Sequence, residues 1–209
     1  MKGLFYLNVA TQVESITFDN NIIEKVECSG SDFMDSRKGA YKTLTFTNNT
    51  VFNSCAERDF VRYDNTAKNF PDVMTEINVS NNTLVGVANS TSRRLMYVRF
   101  STVTKDGDIV TNLEYKHNIT FKNNLVTNTV GYFAKNLETN IKPICSNNNY
   151  YKAANAGTIT ATLNEEPLEY KDSSAKTLNP QFLDEENGDF TITNEDVIAN
   201  KVGDPRWLQ

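Results

Sequence analysis

LTFTNN, at residues 44–49, is the clearest copy of a pattern that this chain repeats. Near-copies are ITFDNN at 16–21, INVSNN at 77–82 and ITFKNN at 119–124, and a weaker one is ICSNNN at 144–149. Apolar and polar residues alternate in each copy, which is typical of a strand with one buried face. The Asn pair suits a sharp bend, because asparagine adopts a left-handed backbone more readily than most residues. Each copy therefore predicts a strand that ends at a tight corner.

The copies recur at intervals typical of a solenoid. Successive corners are 28, 33, 42 and 25 residues apart, measured between Asn20, Asn48, Asn81, Asn123 and Asn148. Repeats of this length stack coil upon coil, so that like residues lie above one another. We expect these asparagines to form a ladder of side-chain hydrogen bonds, as stacked amides do in cross-β structures. After each corner a second apolar column begins, at Ile23, Val51, Leu84, Val126 and Tyr151.

A third short strand is predicted upstream of each corner strand, at residues 5–8, 33–37, 60–64, 97–100 and 132–136. The stretches 66–75 and 102–118, which follow this strand, differ in length, as loops on a rigid scaffold do. The predicted fold is all-β, a single-stranded parallel β-helix of about five coils over residues 1–156. Residues 157–209 are predicted to supply the last strands and a C-terminal cap of the same domain, because an open solenoid end exposes core and unpaired backbone.

The composition excludes several classes of protein. The chain has 209 residues, 39% of them hydrophobic and 22% charged, with 28 asparagines and a net charge of −5. No stretch approaches the ~20 apolar residues of a membrane-spanning helix, and an acidic chain is a poor match for nucleic acid. The opening MKGLFYL lacks the length and the cleavage site of a signal peptide. We therefore expect any export signal to lie outside this chain.

Single residues of reactive type give little support to a catalytic site. Cys28, Cys55 and Cys145 fit no metal-binding spacing. They are interpreted as small buried residues, with a Cys28–Cys55 disulfide as the alternative. His117 is the sole histidine and is expected on a surface loop. Trp207 is the sole tryptophan, and we expect it to cover the end of the core within the cap.

The coils and the ending of the chain together resemble a known family. NPQF at residues 179–182, GDF at 188–190 and GDPRW at 203–207 are similar to the closing segment of right-handed parallel β-helix proteins of the pectate-lyase-like superfamily. The combination resembles an uncharacterised group of secreted or surface lipoproteins of gut Bacteroidetes that accompany polysaccharide-utilisation systems. The resemblance covers nearly the whole chain. It implies a monomeric right-handed β-helix that is extracellular or attached to the outer-membrane surface, with polysaccharide as its partner.

The resemblance also implies that polysaccharide binds along the sheet that precedes the Asn corner strand. One column of this sheet is predicted to present Asp35, Arg62, Arg99 and Lys135. Two residues earlier, on the same face by strand alternation, stand Phe33, Phe60, Tyr97 and Phe133. The predicted substrate-binding residues are therefore Asp35, Arg62, Arg99, Lys135, Phe60 and Tyr97. A register shifted by one residue would instead place the phenylalanines in the core.

The predicted function is polysaccharide binding or processing, although a fold does not by itself determine function. An alternative is a lyase acting on an acidic glycan, in which Arg62, Arg99 and Lys135 bind carboxylates and serve as weak catalytic candidates. A lyase also needs a base and a way to neutralise the uronate, by cationic side chains or Ca²⁺. No recurring Asp cluster indicates a metal site, so no cofactor is predicted and Ca²⁺ is left open. A non-catalytic structural or adhesion module is the third hypothesis. Whether the chain is an enzyme is also left open. If it is one, we expect a polysaccharide lyase or a glycoside hydrolase.

Overall fold

The computed structural model describes residues 2–64, 70, 73–99, 102–105, 108–111, 117–139, 142–163 and 166–209. Most of the elements in these ranges are strands, and one short α-helix, α1 (Glu195–Ala199), lies near the end of the chain. The all-β prediction is confirmed. No helix within the described ranges has the length and apolar character needed to cross a membrane.

Three parallel sheets contain the repeated strands, numbered in chain order. The first sheet holds β1 (Phe5–Leu7), β4 (Met34–Ser36), β7 (Val61–Tyr63) and β10 (Met96–Val98). The second holds β2 (Gln12–Asp19), β5 (Ala40–Thr47), β8 (Thr75–Ser80), β13 (His117–Lys122) and β16 (Ile144–Ser146). The third holds β3 (Ile22–Glu24), β6 (Thr50–Phe52), β9 (Thr83–Val85), β14 (Leu125–Thr127) and β17 (Asn149–Tyr151). The chain visits the sheets in turn, so one passage, here called a layer, adds a strand to each. This stacking is compatible with the predicted parallel β-helix.

The register between layers aligns the repeated copies as the sequence predicts. Ile16 pairs with Leu44, Leu44 with Ile77, and Ile77 with Ile119. Leu44 and Ile77 are buried, and Phe46 and Val79, two residues further along the strands, fill the same interior. The period-two pattern therefore identifies both the strands and their inward face.

The fifth copy is shifted by one residue from its predicted alignment. Val126 pairs with Tyr150, whereas Tyr151 was the predicted partner. The corner residue is Asn147, with a φ of 53°, and not Asn148. Three consecutive asparagines occupy 147–149, so the sequence alone does not indicate which pair forms the corner.

The corners have the predicted left-handed backbone. Positive φ angles of 53–59° occur at the first asparagine of each pair, Asn20, Asn48, Asn81, Asn123 and Asn147. A second left-handed corner follows each strand of the third sheet, at Lys25, Asn53, Gly86, Asn128 and Lys152. The side chain at this second corner varies, so the repeated pattern in the sequence marks the first corner only.

The second asparagine of each pair forms a ladder, here called the asparagine column: Asn21, Asn49, Asn82, Asn124 and Asn148. All but Asn21 are fully buried. Asn82 Oδ1 accepts the backbone N–H of Asn49 at 2.9 Å and its side-chain amide at 3.3 Å, while Asn82 Nδ2 donates to Phe46 O at 2.9 Å. The same bonds recur from Asn124 and Asn148 to the layer before each. The predicted ladder therefore exists, but in the first four copies it lies one residue after the predicted position.

The predicted asparagines form only a partial outer ladder. Asn123 Nδ2 donates to Asn81 Oδ1 at 2.9 Å, and Asn147 Nδ2 donates to Asn123 Oδ1 at 2.9 Å. In the early layers Asn48 donates instead to the carboxylate of Asp19, at 2.8 Å. The outer residue of each pair can exchange partners with solvent and neighbours, whereas the buried inner one cannot.

Further strands form three smaller sheets among the described residues. They are β11 (Thr102–Lys105) and β12 (Asp108–Thr111), β15 (Ala134–Thr139), β18 (Thr158–Leu163) and β19 (Glu166–Lys171), and β20 (Phe182–Asp184) and β21 (Asp189–Ile192). The first pair is an antiparallel hairpin inside the predicted loop 102–118. Strand β18 follows β15 in parallel, and β19 returns antiparallel to it.

The C-terminal segment first closes the last layer and then returns along the third sheet. Asp172 accepts the amide of Asn148 at 2.7 Å and so ends the asparagine column. Further on, the backbone N–H of Gly203 donates to Asn123 O at 2.8 Å, and Arg206 donates to Asn20 Oδ1 at 2.6 Å in the first layer. The GDPRW motif therefore bonds to more than one layer and connects them. Gly203 is required there, because its φ is +105° and a Cβ would lie 2.9 Å from Thr83 Oγ1.

The expectation that Trp207 covers the end of the core is wrong. Its indole Nε1 donates to Thr50 Oγ1 at 2.6 Å, and its ring lies 6.0 Å from that of Phe190. Asp204 accepts from the same Thr50 hydroxyl at 2.8 Å. These contacts hold the returning tail against the outer face of β6, where Thr50 supplies a buried hydroxyl as the partner of the indole.

Candidate functional site

The outward residues of the first sheet form a straight line across the layers, here called the surface line: Tyr6, Asp35, Arg62, Tyr97 and Lys135. Tyr6 pairs with Asp35, Asp35 with Arg62, and Arg62 with Tyr97. The backbone N–H of Met96 donates to Phe133 O, which in a parallel ladder places Lys135 beside Tyr97. The predicted column is therefore correct at Asp35, Arg62 and Lys135.

Arg99 does not belong to the surface line, and Tyr97 takes the place predicted for it. Residues two apart lie on the same face of a strand, so alternation alone did not distinguish Tyr97 from Arg99. Arg99 is exposed beyond β10 and donates to the hydroxyl of Tyr97 at 2.7 Å. Arg99 therefore contacts the surface line through the hydroxyl of Tyr97, and it does not occupy the position predicted for it.

Phe60 is fully buried and does not reach the surface, so its predicted contact with a substrate is wrong. Its ring stacks on Phe33 at 5.0 Å and meets the edge of Phe46 at 5.5 Å. Phe33 and Phe133 are equally buried. These residues precede the strands at a corner, where the chain turns and alternation does not apply, so Phe60 and Val61 both face inward. The alternative of a core role holds for all three phenylalanines.

Four carboxylates of this region are buried: Asp35, which belongs to the surface line, and Asp32, Asp59 and Asp64. Asp35 accepts Arg37 Nε at 3.0–3.1 Å and the backbone N–H of Asp32 at 2.9 Å. Its carboxylate is thus occupied within the protein and is not presented to solvent. Sequence analysis missed Asp32 and Asp59, which lie at corners outside the repeated pattern.

Arg62 is held by two of these carboxylates. Its Nη1 donates to Asp32 at 3.1 Å and its Nη2 to Asp64 at 2.8 Å. Burial by itself lowers the pKa of Arg62, but the bonds to Asp64 and Asp32 raise it above the usual value. The guanidinium is therefore a fixed cation, with one donor group bonded to the preceding layer and another to its own layer.

Arg94 makes the corresponding bond at the next corner. It forms a fork with Asp59, through Nε at 2.9 Å and Nη2 at 2.9 Å, and its backbone N–H donates to the same carboxylate at 2.8 Å. Burial raises the pKa of Asp59, and the Arg94 fork opposes that rise. Asp32 likewise accepts the backbone N–H of Asp59, at 3.0 Å, so the carboxylates link one layer to the next.

Both tyrosines of the surface line lie among cations. The ring of Tyr97 has Arg94 Cζ at 4.0 Å and Arg62 Cζ at 5.0 Å from its centroid. The ring of Tyr6 has Lys2 Nζ at 4.6 Å and Arg37 Cζ at 5.4 Å. These cation–π contacts limit the rotation of the rings, so half-buried aromatic surfaces are presented in fixed positions.

A shallow groove of about 620 Å³ lies on the outer face of the second sheet. Its lining combines the polar positions of two repeated copies with one exposed apolar residue: Glu76, Asn78, Asn118, Thr120, Lys122 and Ile144. Sequence analysis did not single out this surface, although the polar positions of each copy necessarily face outward. Within the described ranges, no group of His, Cys, Asp and Glu is arranged to hold a metal ion.

Of the reactive residues outside the surface line, His117, Cys28 and Cys55 are buried and Cys145 is partly exposed. His117 begins β13 beside the ring of Tyr63, at 5.0 Å, and burial lowers its pKa to about 4. The expectation of a surface loop is therefore wrong. Cys28 and Cys55 are buried free thiols, as the first interpretation holds, and no disulfide joins them. Desolvation also raises the pKa of Cys145 to about 12, so this partly exposed thiol stays protonated near neutral pH and is a poor nucleophile.

Two family models match the chain. Domain of unknown function (DUF5123) matches residues 77–207, and Domain of unknown function (DUF4957) matches residues 1–54. No curated protein and no solved structure gives a significant match. Neither family description names a pectate-lyase-like protein, so the resemblance drawn from the sequence agrees with the structure at the level of stacked parallel strands.

Proposed function

The chain belongs to the family described as Domain of unknown function (DUF5123), and we propose that it is a right-handed parallel β-helix that binds polysaccharide along the surface line. The proposal places the protein outside the cell or on the outer-membrane surface. It rests on the surface line itself, which runs over four adjacent strands and on to Lys135. Strands in a sheet lie about 4.8 Å apart, so the line is a straight, regularly spaced path suited to an extended polymer.

The side chains of the line suit the chemistry of sugars. The rings of Tyr6 and Tyr97 offer flat apolar surfaces to the C–H faces of pyranose rings, and their hydroxyls can exchange hydrogen bonds with sugar hydroxyls. Lys135 is exposed at one end of the line. The ion pairs below hold these groups in place, which lowers the entropy lost when a ligand is bound.

The charge balance favours a neutral glycan over an acidic one. Arg37, Arg62 and Arg94 each pair with a buried carboxylate at 2.8–2.9 Å. An anionic sugar would meet those carboxylates as well as the guanidinium groups, so its net attraction is small. The lyase hypothesis, in which Arg62, Arg99 and Lys135 neutralise a uronate, is correspondingly less favoured.

A non-catalytic structural or adhesion module is the second candidate. The observation that favours it is that two of these arginines link adjacent layers: Arg62 bonds to Asp32 of the preceding layer and Arg94 to Asp59. Pairs of this kind stiffen a solenoid without any ligand. Under this hypothesis the surface line is a rigid outer face that contacts protein and not sugar.

Glycan-array binding of the full chain, followed by calorimetry on the best ligand, tests the proposal. We expect Tyr97→Ala and Tyr6→Ala to weaken binding at least tenfold, because each removes one stacking surface worth about 1.4 kcal/mol or more. Tyr151→Ala, on the third sheet, is the matched control and should bind like the parent. If 0.5 M salt changes the affinity of the ligand by ~10% or less, the result would support a neutral glycan.

Two outcomes would redirect the proposal. No binding on arrays of neutral and acidic glycans would favour the structural module. Release of unsaturated uronides from pectin, alginate or glycosaminoglycans would instead establish the lyase.

A further inference from the structure

The two tyrosines of the surface line stand three layers apart. Their strands, β1 and β10, are separated by β4 and β7 in the first sheet. The register places Asp35 and Arg62 directly between Tyr6 and Tyr97. Because adjacent strands lie about 4.8 Å apart, the two tyrosine positions are about 14 Å from each other along the line. Both side chains are partly exposed, so the line carries two aromatic surfaces at a set separation.

Cations hold each tyrosine ring in its own layer. Arg94 Cζ lies 4.0 Å from the ring centroid of Tyr97, and Arg37 Cζ lies 5.4 Å from that of Tyr6. Both guanidinium groups also pair with buried carboxylates, at 2.9 Å and 2.8 Å. The separation of the two rings is therefore set by a hydrogen-bonded sheet and by ion-paired neighbours, and not by a flexible loop.

The stretch between the two tyrosines is polar. Asp35 is fully buried, and the side chains of Arg37 and Arg62 are 31% and 22% exposed. A guanidinium group has five N–H donors, and each of these arginines keeps N–H groups that its bonds to carboxylates do not use. The middle of the line therefore offers hydrogen-bond donors to sugar hydroxyl groups, whereas the two tyrosines offer stacking.

We propose that the surface line binds neutral glycans whose 1,4 linkages are diequatorial, and that it contacts four consecutive sugar units, one in each layer from Tyr6 to Tyr97. This inference rests on the proposed function. In such a chain each pyranose advances by nearly one strand spacing, so a unit stacked on Tyr6 places the third unit after it on Tyr97. The two units between them lie over the arginines.

The diequatorial linkage follows from the straightness of the line. It keeps the glycan extended, and mostly equatorial hydroxyl groups leave C–H groups on both faces of each ring, so successive units can stack on the same side of the chain. An α-1,4-linked glucan curves, so it leaves the line before its fourth unit reaches the second tyrosine.

The separation of the tyrosines predicts a threshold in ligand length. A trisaccharide stacks on one tyrosine only, whereas a tetrasaccharide reaches both. The second contact is then intramolecular, and it adds affinity only when the ligand spans both sites. We expect the affinity to rise at least about tenfold from three units to four, and by less than about threefold at each other added unit.

Calorimetry on the full chain tests this threshold. The probes are unbranched oligosaccharides of two to six units from β-1,4-glucan, β-1,4-mannan and β-1,4-xylan, with α-1,4-glucan oligosaccharides as the curved control. We expect the threshold in at least one β-linked series, and affinities at least about tenfold weaker without a threshold in the α-linked series. Tyr6→Ala should remove the threshold, yet change the affinity for the trisaccharide by no more than about twofold, because a trisaccharide still stacks on Tyr97.

A double variant moves the second aromatic surface by one layer. Lys135 is exposed and occupies the next position of the line after Tyr97, so Lys135→Tyr combined with Tyr97→Ala should fold like the parent, as thermal unfolding checks. In this variant we expect the threshold to move from four units to five. A purely structural role for Tyr97 predicts no such movement.

Three results would overturn the inference. One is a gradual rise in affinity with length, another is a threshold that stays at four units in the double variant, and the third is equal binding of the α-linked series. Binding of acidic, branched or differently linked glycans alone would also overturn it, while glycan binding by the protein would stand. Absence of binding to every glycan would instead show that the proposed function itself is wrong.

Discussion

The asparagine column and the surface line are two polar columns in one solenoid, and they are built by opposite rules. The column repeats one residue in every layer, whereas the line has five positions with four residue types, Tyr, Asp, Arg and Lys. In the column every amide except that of Asn21 is buried, and the amides bond along the axis, so only an amide completes the next bond. In the line the charges find partners at neighbouring corners, so their identity varies. Buried axial bonding therefore requires identical residues, and partly exposed ion pairing does not.

The largest effect should come from breaking the column at its centre. Asn82→Ala removes the acceptor of the Asn49 backbone N–H and the side-chain donor to Phe46 O, and it leaves Asn124 Oδ1 with one donor in place of two. Because each buried unsatisfied group costs about 1–3 kcal/mol, we expect a loss of about 4 kcal/mol in the free energy of unfolding in urea. Asn81→Gly is the matched control, since glycine keeps the positive φ of 57° and should lose below about 1 kcal/mol. Equal losses for the two variants would contradict the distinction between inner and outer asparagines.

His117 provides a further test, because it is buried but belongs neither to the asparagine column nor to the surface line. Burial lowers its pKa to about 4 in the folded protein, below an unfolded value of about 6.5. Folding therefore favours the neutral imidazole, and this stability is present above about pH 6.5 and is lost as the pH falls toward 4. We expect a loss of about 2 kcal/mol between pH 7 and pH 5.

His117→Phe keeps the aromatic contact with Tyr63 and cannot titrate. Its stability should vary with pH over this range by less than about 0.5 kcal/mol from this cause. Asp59 and Asp204 have raised pKa values through burial, so they act in the opposite direction, closer to pH 4. A parent and variant with the same pH profile from 7 to 5 would contradict the burial of a neutral His117.

Breaking an ion pair of the surface line should have a smaller effect than breaking the column. Arg62→Ala leaves Asp32 and Asp64 without their shared cation. The Arg62 side chain is 22% exposed, so water replaces part of the interaction and we expect a loss of about 1–2 kcal/mol. Adding Asp32→Asn and Asp64→Asn should recover part of that loss in a mutant cycle. A loss as large as that of Asn82→Ala would contradict the claim that the surface line tolerates substitution better than the asparagine column.

The smallest effect on stability is expected at the aromatic positions of the line. Tyr97→Ala removes a half-buried ring that packs against Arg94 at 4.0 Å and should lose below about 1 kcal/mol. Phe60→Ala should lose about 3–5 kcal/mol because its ring is fully buried in the core. Thermal unfolding of both variants distinguishes a surface residue from a core one, and similar shifts would contradict their placement.

The strands were predictable from the sequence because one face of each is buried. The alternation of residues 44–49 is sufficient to assign β5 and its inward face, and the Asn pair assigns the left-handed corner. The pattern did not determine how the strands of adjacent layers are aligned with one another. Tyr97 and Arg99 share a face, and 147–149 contain three asparagines, so both required the register between layers.

The remaining errors come from corners and from long-range contacts. Phe60 follows a turn, where alternation no longer predicts direction. The acceptors Asp32 and Asp59 have no counterpart in every layer, so no repeat marks them. Trp207 reaches Thr50 over 157 residues of sequence, and no local pattern encodes that contact.

Exchange of side-chain amide protons, followed by NMR, tests the central claim most directly. The account predicts that the Nδ2 protons of Asn82 and Asn124 exchange at least ~1,000-fold more slowly than those of the exposed Asn20, because they are released only by opening of the layers. Exchange of Asn82 at the rate of Asn20 would contradict a buried, axially bonded asparagine column.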